Sequence, residues 1–266
     1  AMEAVFASMA VLLDAEDEIL IPDPGYGNFV MGARLLHGIP RRYPTLPEKS
    51  FTPDFAALEN LVTERTKALL INSPSNPTGA VYSEEVLRRC LDFCHRHDLY
   101  LLSDETYDRL VFEGEHISPA KWDDEGRVIS IFTVSKTYSM TGWRVGYAVG
   151  SQEIIGAMTK IQEPIVSCVN TVAQHAAIAA LLGPQDCVHE MLAHYRRRRD
   201  LAVRCAQELG LEVSYPHGAF GELCDRYVRI SLCANEQALT EGLTRLARHL
   251  QREAAQAEPA MALKAI

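Results

Sequence analysis

Hydrophobic positions along the chain fall into short apolar runs separated by longer amphipathic stretches. Five runs bounded by Pro, Gly, Asp or Ser predict strands over Glu18–Pro22, Ala68–Asn72, Tyr100–Ser103, Val128–Phe132 and Val145–Val149. Helical spacing between them predicts helices over Asn28–Leu36, Phe55–Val62 and Glu84–His95. The last has a clear start signal. Ser83 can accept a hydrogen bond from the first turn, and Glu84 and Glu85 complement the helix dipole. From Gln152 the pattern is mostly helical, with a long helix over Asp186–Gly210 that Gly210 should stop. Short strands over Glu212–Tyr215 and Tyr227–Leu232 and a closing helix over Glu236–Arg252 complete the chain. Alternating strands and helices with buried-looking strands predict an α/β fold, a mostly parallel sheet sandwiched by helices. Ligands in such folds gather at the carboxyl ends of the strands.

Composition narrows the function classes. With 266 residues, 47% hydrophobic and 23% charged, the chain is globular and global disorder is excluded. The formal net charge of −9 argues against nucleic acid or an anionic membrane as the main partner. The longest apolar stretch, Ala4–Leu13, is too short to span a bilayer, and it follows Glu3 instead of a basic cluster. A soluble, cytoplasmic protein is expected. Seven cysteines, an odd number without a CxxC pair, do not form a secreted disulfide framework. Cys90 and Cys94 lie one helical turn apart beside His95 and His97, but thiols facing the core are the preferred reading and no metal is expected. The run Arg196–Arg199, followed by Asp200, is read as a solvated helix surface and not a nucleic-acid contact.

Candidate chemistry sits at the predicted strand ends. Asn72 leads into Ser73-Pro74-Ser75-Asn76-Pro77-Thr78-Gly79, Ser103 into Asp104-Glu105-Thr106-Tyr107, and Phe132 into Thr133-Val134-Ser135-Lys136. A lysine at a sheet's ligand edge among hydroxyls points to a Schiff base or an anion site. Arg144, eight residues on, suits a phosphate because its planar fork donates two parallel hydrogen bonds. Taken singly, Asn76 could be a turn residue, Tyr26 a half-buried loop aromatic and Asp104 a helix cap.

The string SKTYSMTGWRVGY (135–147) resembles the lysine motif of the class I and II pyridoxal-phosphate aminotransferases of fold type I. PDPGYGNF (22–29), NSPSNPTG (72–79) and SDETY (103–107) resemble other motifs of that family, in the same order, and the resemblance runs from Ala1 to His249. It implies a fold type I large domain over residues 1–193, followed by a connecting helix and an incomplete small α+β domain over 194–266. It implies pyridoxal 5'-phosphate as cofactor and a transaminase that moves an amino group between an L-α-amino acid and a 2-oxo acid by a ping-pong mechanism. Lys136 would form the Schiff base with the cofactor aldehyde and later move the substrate's Cα proton. Asp104 would pair with the pyridinium nitrogen. Asn76 and Tyr107 would donate to the phenolic oxygen, and Tyr26 would stack over the ring. Thr133, Ser135, Arg144 and the helix start at Ala1 and Met2 would hold the phosphate. Trp143 is expected to pack beside the site. Tyr227-Val228-Arg229-Ile230-Ser231 matches the family's YVRIS strand, so Arg229 would bind the substrate α-carboxylate, with Asn76 also on the substrate side.

Two departures qualify the match. The family carries a sizeable segment before the phosphate helix, which this sequence lacks. Only six residues separate Phe220 from Tyr227, where the family places a helix and a strand. The resemblance implies a homodimer with small-molecule partners only. A β-eliminating lyase on the same fold and a truncated, non-catalytic remnant with a binding role are the alternatives.

Overall fold

A computed structural model describes residues 1–213, 216–218, 227–228, 231–256 and 264–265. The first half alternates helix and strand: α1 (Met2–Leu12), β1 (Glu18–Asp23), α2 (Gly27–Leu35), β2 (Ile39–Pro44), α3 (Phe55–Leu61), β3 (Thr66–Asn72), α4 (Glu84–Arg96), β4 (Tyr100–Asp104) and β5 (Val128–Thr133). After a short α5 (Val134–Thr137) come β6 (Gly146–Val149), α6 (Gln152–Val166), α7 (Thr171–Leu182) and the long α8 (Asp186–Glu208). The order β2-β1-β3-β4-β5-β6 makes one sheet. Strands β1 to β5 run parallel and β6 pairs antiparallel with β5 at the edge. The strands and helices predicted as far as α8 are present with ends shifted by a residue or two.

Helices cover both faces of the sheet, which explains the apolar runs. Alternate residues of β3 face opposite ways. Ala68 and Leu70 pack with Val5, Met9 and Phe29 under α1 and α2, while Leu69 and Ile71 pack with Leu58, Leu87 and Phe93 under α3 and α4. The helix signals work as expected. Ser83 Oγ accepts from the Val86 N–H at 3.4 Å, and Gly210, at φ +74°, takes the left-handed conformation just past the end of α8.

One strand escapes the periodicity. β2, Ile-Pro-Arg-Arg-Tyr-Pro, carries two prolines and two arginines, and an edge strand tolerates both because it has no second partner to satisfy. Its place is fixed from the side. Arg41 donates to the fully buried Glu18 carboxylate at 2.6 Å, and Tyr43 donates its hydroxyl to the Leu70 carbonyl at 2.9 Å.

The cysteine expectation holds where the chain is described. Cys90 and Cys94 are fully buried in the α4 core, burial pushes the Cys90 thiol up to about 12, and all six described cysteines are free. The arginine run departs from the expectation of a solvated surface at Arg199, while Arg196 and Arg197 are exposed as expected. Arg199 is 3% exposed, with its guanidinium 4.9 Å over the Phe112 ring and 3.0 Å from Glu113. Arg196 donates to the Phe112 carbonyl and Arg198 to the Leu232 carbonyl at 3.0 Å. The run therefore staples α8 to distant segments, a role that local sequence does not reveal.

Past α8, β7 (Glu212–Val213), β8 (Tyr227–Val228) and β9 (Lys264–Ala265) form a small parallel sheet, and α9 (Glu236–Gln256) packs along α8. The strand expected to reach Leu232 has given way to a turn by that residue. Residues 216–218 lie against the large sheet's loops. The Gly218 N–H donates to the Gly79 carbonyl at 2.8 Å, and the Phe112 N–H to the His217 carbonyl at 2.8 Å.

Candidate active site

The carboxyl ends of β1, β3, β4 and β5 open into one cavity of about 320 Å³, at the small end of the roughly 300–1,000 Å³ typical of small-molecule sites. The β1–β3 boundary is where connections leave in opposite directions, which exposes strand ends to a ligand. All predicted site residues except Arg229 line this cavity. Arg229 lies outside the described residues.

Three loops build its walls. After β3, Asn72 ties the region together: its Nδ2 donates to the Asp104 carbonyl at 3.0 Å, and its Oδ1 accepts from the Asn76 N–H at 2.6 Å. The adjoining turn needs glycine at position 79, where φ is +69° and a Cβ would lie 2.7 Å from Pro216 Cβ. Asn76 is thereby held on the cavity wall, its side-chain Oδ1 buried with no hydrogen-bond partner among the described residues.

After β4, Asp104 turns its carboxylate into the cavity while Oδ1 accepts from the Thr106 N–H at 3.0 Å. Burial raises this carboxyl above the ordinary aspartate range, against the pull of its Thr106 hydrogen bonds. A buried carboxylate whose charge is disfavoured by its own surroundings suits a cationic partner. After β5, Thr133 caps α5 and places Ser135 and Lys136 on the cavity, with Ser135 Oγ 2.9 Å from Thr133 Oγ1. The half-buried Lys136 holds its Nζ 5.8 Å from the centre of the buried Tyr107 ring.

The remaining wall comes from Tyr26, which precedes α2 with its ring edge-on to Phe29, and from Ala1 and Met2 at the start of α1. Arg144 is left-handed at φ +56° and donates from Nη1 to the Thr141 carbonyl at 2.7 Å. Sequence reasoning passed over Asn72, Thr106 and Thr141 as lining residues. Asn72 and Thr106 left a signal, being polar groups where apolar strands end. Trp143, expected to pack beside the site, is 46% exposed instead.

The chain matches the family model for aminotransferase class I and II over residues 1–245. It belongs to that family. A probable aspartate/prephenate aminotransferase of Thermus aquaticus is 39% identical over 226 residues, covering 84% of this chain and 59% of that protein. An asparagine–oxo-acid transaminase of Streptococcus mutans is 40% identical over 220 residues, covering 81% of this chain and 56% of that protein. The solved structure of an aromatic aminotransferase from Pyrococcus horikoshii OT3 superposes with a TM-score of 0.89 at 31% identity, over 95% of this chain and 78% of that one. The chain thus spans just under three-fifths of the length of these curated relatives.

Class I and II aminotransferases depend on pyridoxal 5'-phosphate, and the cavity fits that group. It offers an amine for an aldehyde (Lys136), a buried carboxylate for a ring cation (Asp104), a side-chain amide N–H for a ring oxygen (Asn76) and an arginine for a phosphate (Arg144).

Proposed function

We propose that this chain carries the active site of an aminotransferase that moves an amino group between an L-α-amino acid and a 2-oxo acid. The observation that carries this is the convergence of Lys136 and Asp104, from the ends of two neighbouring strands, on one cavity. Pyridoxal 5'-phosphate supplies, when bound, an aldehyde that condenses with amines and a ring that withdraws electrons from the substrate Cα. With the cofactor bound, Lys136 would supply the amine that condenses with its aldehyde and would serve as the base for the substrate Cα proton. Asp104 would supply the negative charge that favours a protonated ring nitrogen. Tyr107 and Asn76 would donate to the ring oxygen, and Tyr26 would supply an aromatic face for the ring. Ser135, Thr133, Arg144 and the α1 start at Ala1 and Met2 would hold the phosphate. Asn76, and Arg229 by the family resemblance, would orient the substrate carboxylate.

The same assignment takes a homodimer. Tyr147 and Val149 on β6, Ile165 and Val166 on α6, and Leu181 and Leu182 on α7 are exposed apolar residues on consecutive elements. A more open groove of about 710 Å³ beside Arg144 carries Trp143, Val166 and Val169. No helix among the described residues is long and apolar enough to cross a membrane; the cysteine pattern is what supports a cytoplasmic location.

The test is acceptor dependence. Amino-acid turnover should require an added 2-oxo acid and release no ammonia. Ammonia release without an acceptor would contradict the assignment and favour an eliminating lyase.

A further inference from the structure

We propose that the buried Glu105 and the half-buried His116 form a positioning pair for this site, holding the turn that bears Asp104, Thr106 and Tyr107 against β5 and the short helix that bears Lys136. This rests on the aminotransferase assignment of the cavity, which neither residue lines.

Glu105 directly follows Asp104, yet its side chain points away from the cavity residues into a closed network. It is fully buried. Its Oε2 lies 2.7 Å from His116 Nε2, and its Oε1 accepts from Ser118 Oγ at 2.8 Å. Ser118 Oγ is also 3.1 Å from Ser130 Oγ on β5. An ionised carboxylate only accepts, so the proton between the pair belongs to His116 Nε2. His116 Nδ1 is buried without a hydrogen-bond partner among the described residues, so the bond to Glu105 is what orients the ring.

The turn is gripped from its other side as well. The Glu105 N–H donates to the Ile131 carbonyl at 2.9 Å, and the Asp108 N–H to the Glu105 carbonyl at 3.0 Å. Asp108 Oδ1 then accepts from Thr137 Oγ1 at 3.2 Å, and Thr137 is the neighbour of Lys136. Backbone from residue 104 to 108 is therefore bracketed between the His116–Ser118 segment and the Lys136 helix. A buried network of this kind adds little stability over a well-packed apolar core. What it supplies is a fixed geometry, and here the fixed object is the relative placement of Asp104 and Lys136.

The experiment compares His116→Ala and His116→Gln in the full chain. A glutamine amide can donate to Glu105 and an alanine cannot. His116→Ala should lower kcat about tenfold, as expected for one lost hydrogen bond to a charged group, with KM within about twofold because no substrate contact is removed. Amide exchange across residues 104–108 should speed up in the same variant. His116→Gln should restore both measures to within about threefold of the unaltered chain. Wild-type exchange and kinetics in His116→Ala, or no rescue by His116→Gln, would overturn the proposal. If the unaltered chain shows no oxo-acid-dependent turnover, the aminotransferase assignment fails, and the exchange measurement still decides whether the pair positions the turn.

Discussion

Replacing Asp104 by asparagine should move stability and cofactor affinity in opposite directions. Burial raises the Asp104 carboxyl above its ordinary range, so the folded chain bears a cost for the charge that the unfolded chain does not. Above the raised value that cost is fully present; it shrinks as pH falls from there to the ordinary aspartate range, below which both states are protonated. Asparagine keeps an oxygen to accept from the Thr106 N–H, now at 3.0 Å, and removes the charge. Without cofactor, the Asp104→Asn protein should be as stable as the parent or more so at pH 7, with the difference shrinking toward pH 3. The ring cation, by contrast, loses a buried partner, which costs about 3 kcal/mol, or roughly a hundredfold in affinity. Urea melts of cofactor-free protein at pH 3, 5 and 7, with a fluorescence titration of pyridoxal 5'-phosphate, read both effects. Unchanged cofactor affinity would refute the pairing. A cofactor-free protein destabilised at pH 7 would refute the electrostatic account of Asp104.

Three further perturbations test the frame around the site. Although burial opposes its ionisation, hydrogen bonds from Arg41, Thr63 and Thr66 hold the Glu18 carboxyl below its ordinary 4.5. That stabilisation is present above pH 4.5 and lost as pH falls through the lowered value, so Glu18→Gln should cost about 1–2 kcal/mol at pH 7 and flatten the acid limb of the stability curve. Gly79→Ala would force a left-handed alanine with its Cβ 2.8 Å from the Gly218 carbonyl oxygen; a loss of about 2–4 kcal/mol is expected in urea melts, with weaker cofactor binding through Asn76. Tyr43→Phe leaves the buried Leu70 carbonyl without its 2.9 Å donor and should cost about 1 kcal/mol in thermal melts.

What was legible in the sequence follows the physics of each element. β1, β3, β4 and β5 are covered on both faces, so their central side chains are mostly apolar and stand out as runs. β2 is an edge strand whose Pro40, Arg41 and Arg42 are excluded from a central strand, and no local pattern marks it. Lys136, Asp104 and Asn76 could be found because each breaks an apolar strand with polar residues at its ligand end. Asn72 was harder to read as part of the wall, since its work is to bridge the Asp104 carbonyl and the Asn76 N–H, contacts that exist only once β3 and β4 are paired. The burial of Arg199 depends on Phe112 and Glu113, far away in sequence. A run of arginines followed by an aspartate carries no trace of such a partner.

The central claim is that Lys136 is the amine that binds the cofactor. Borohydride reduction of the protein with pyridoxal 5'-phosphate, followed by peptide mass mapping, tests it directly. The account predicts one cofactor adduct per chain, on the peptide carrying Lys136, and its loss in Lys136→Ala. Adducts spread over other lysines, or a Lys136 peptide that stays unmodified, would contradict it.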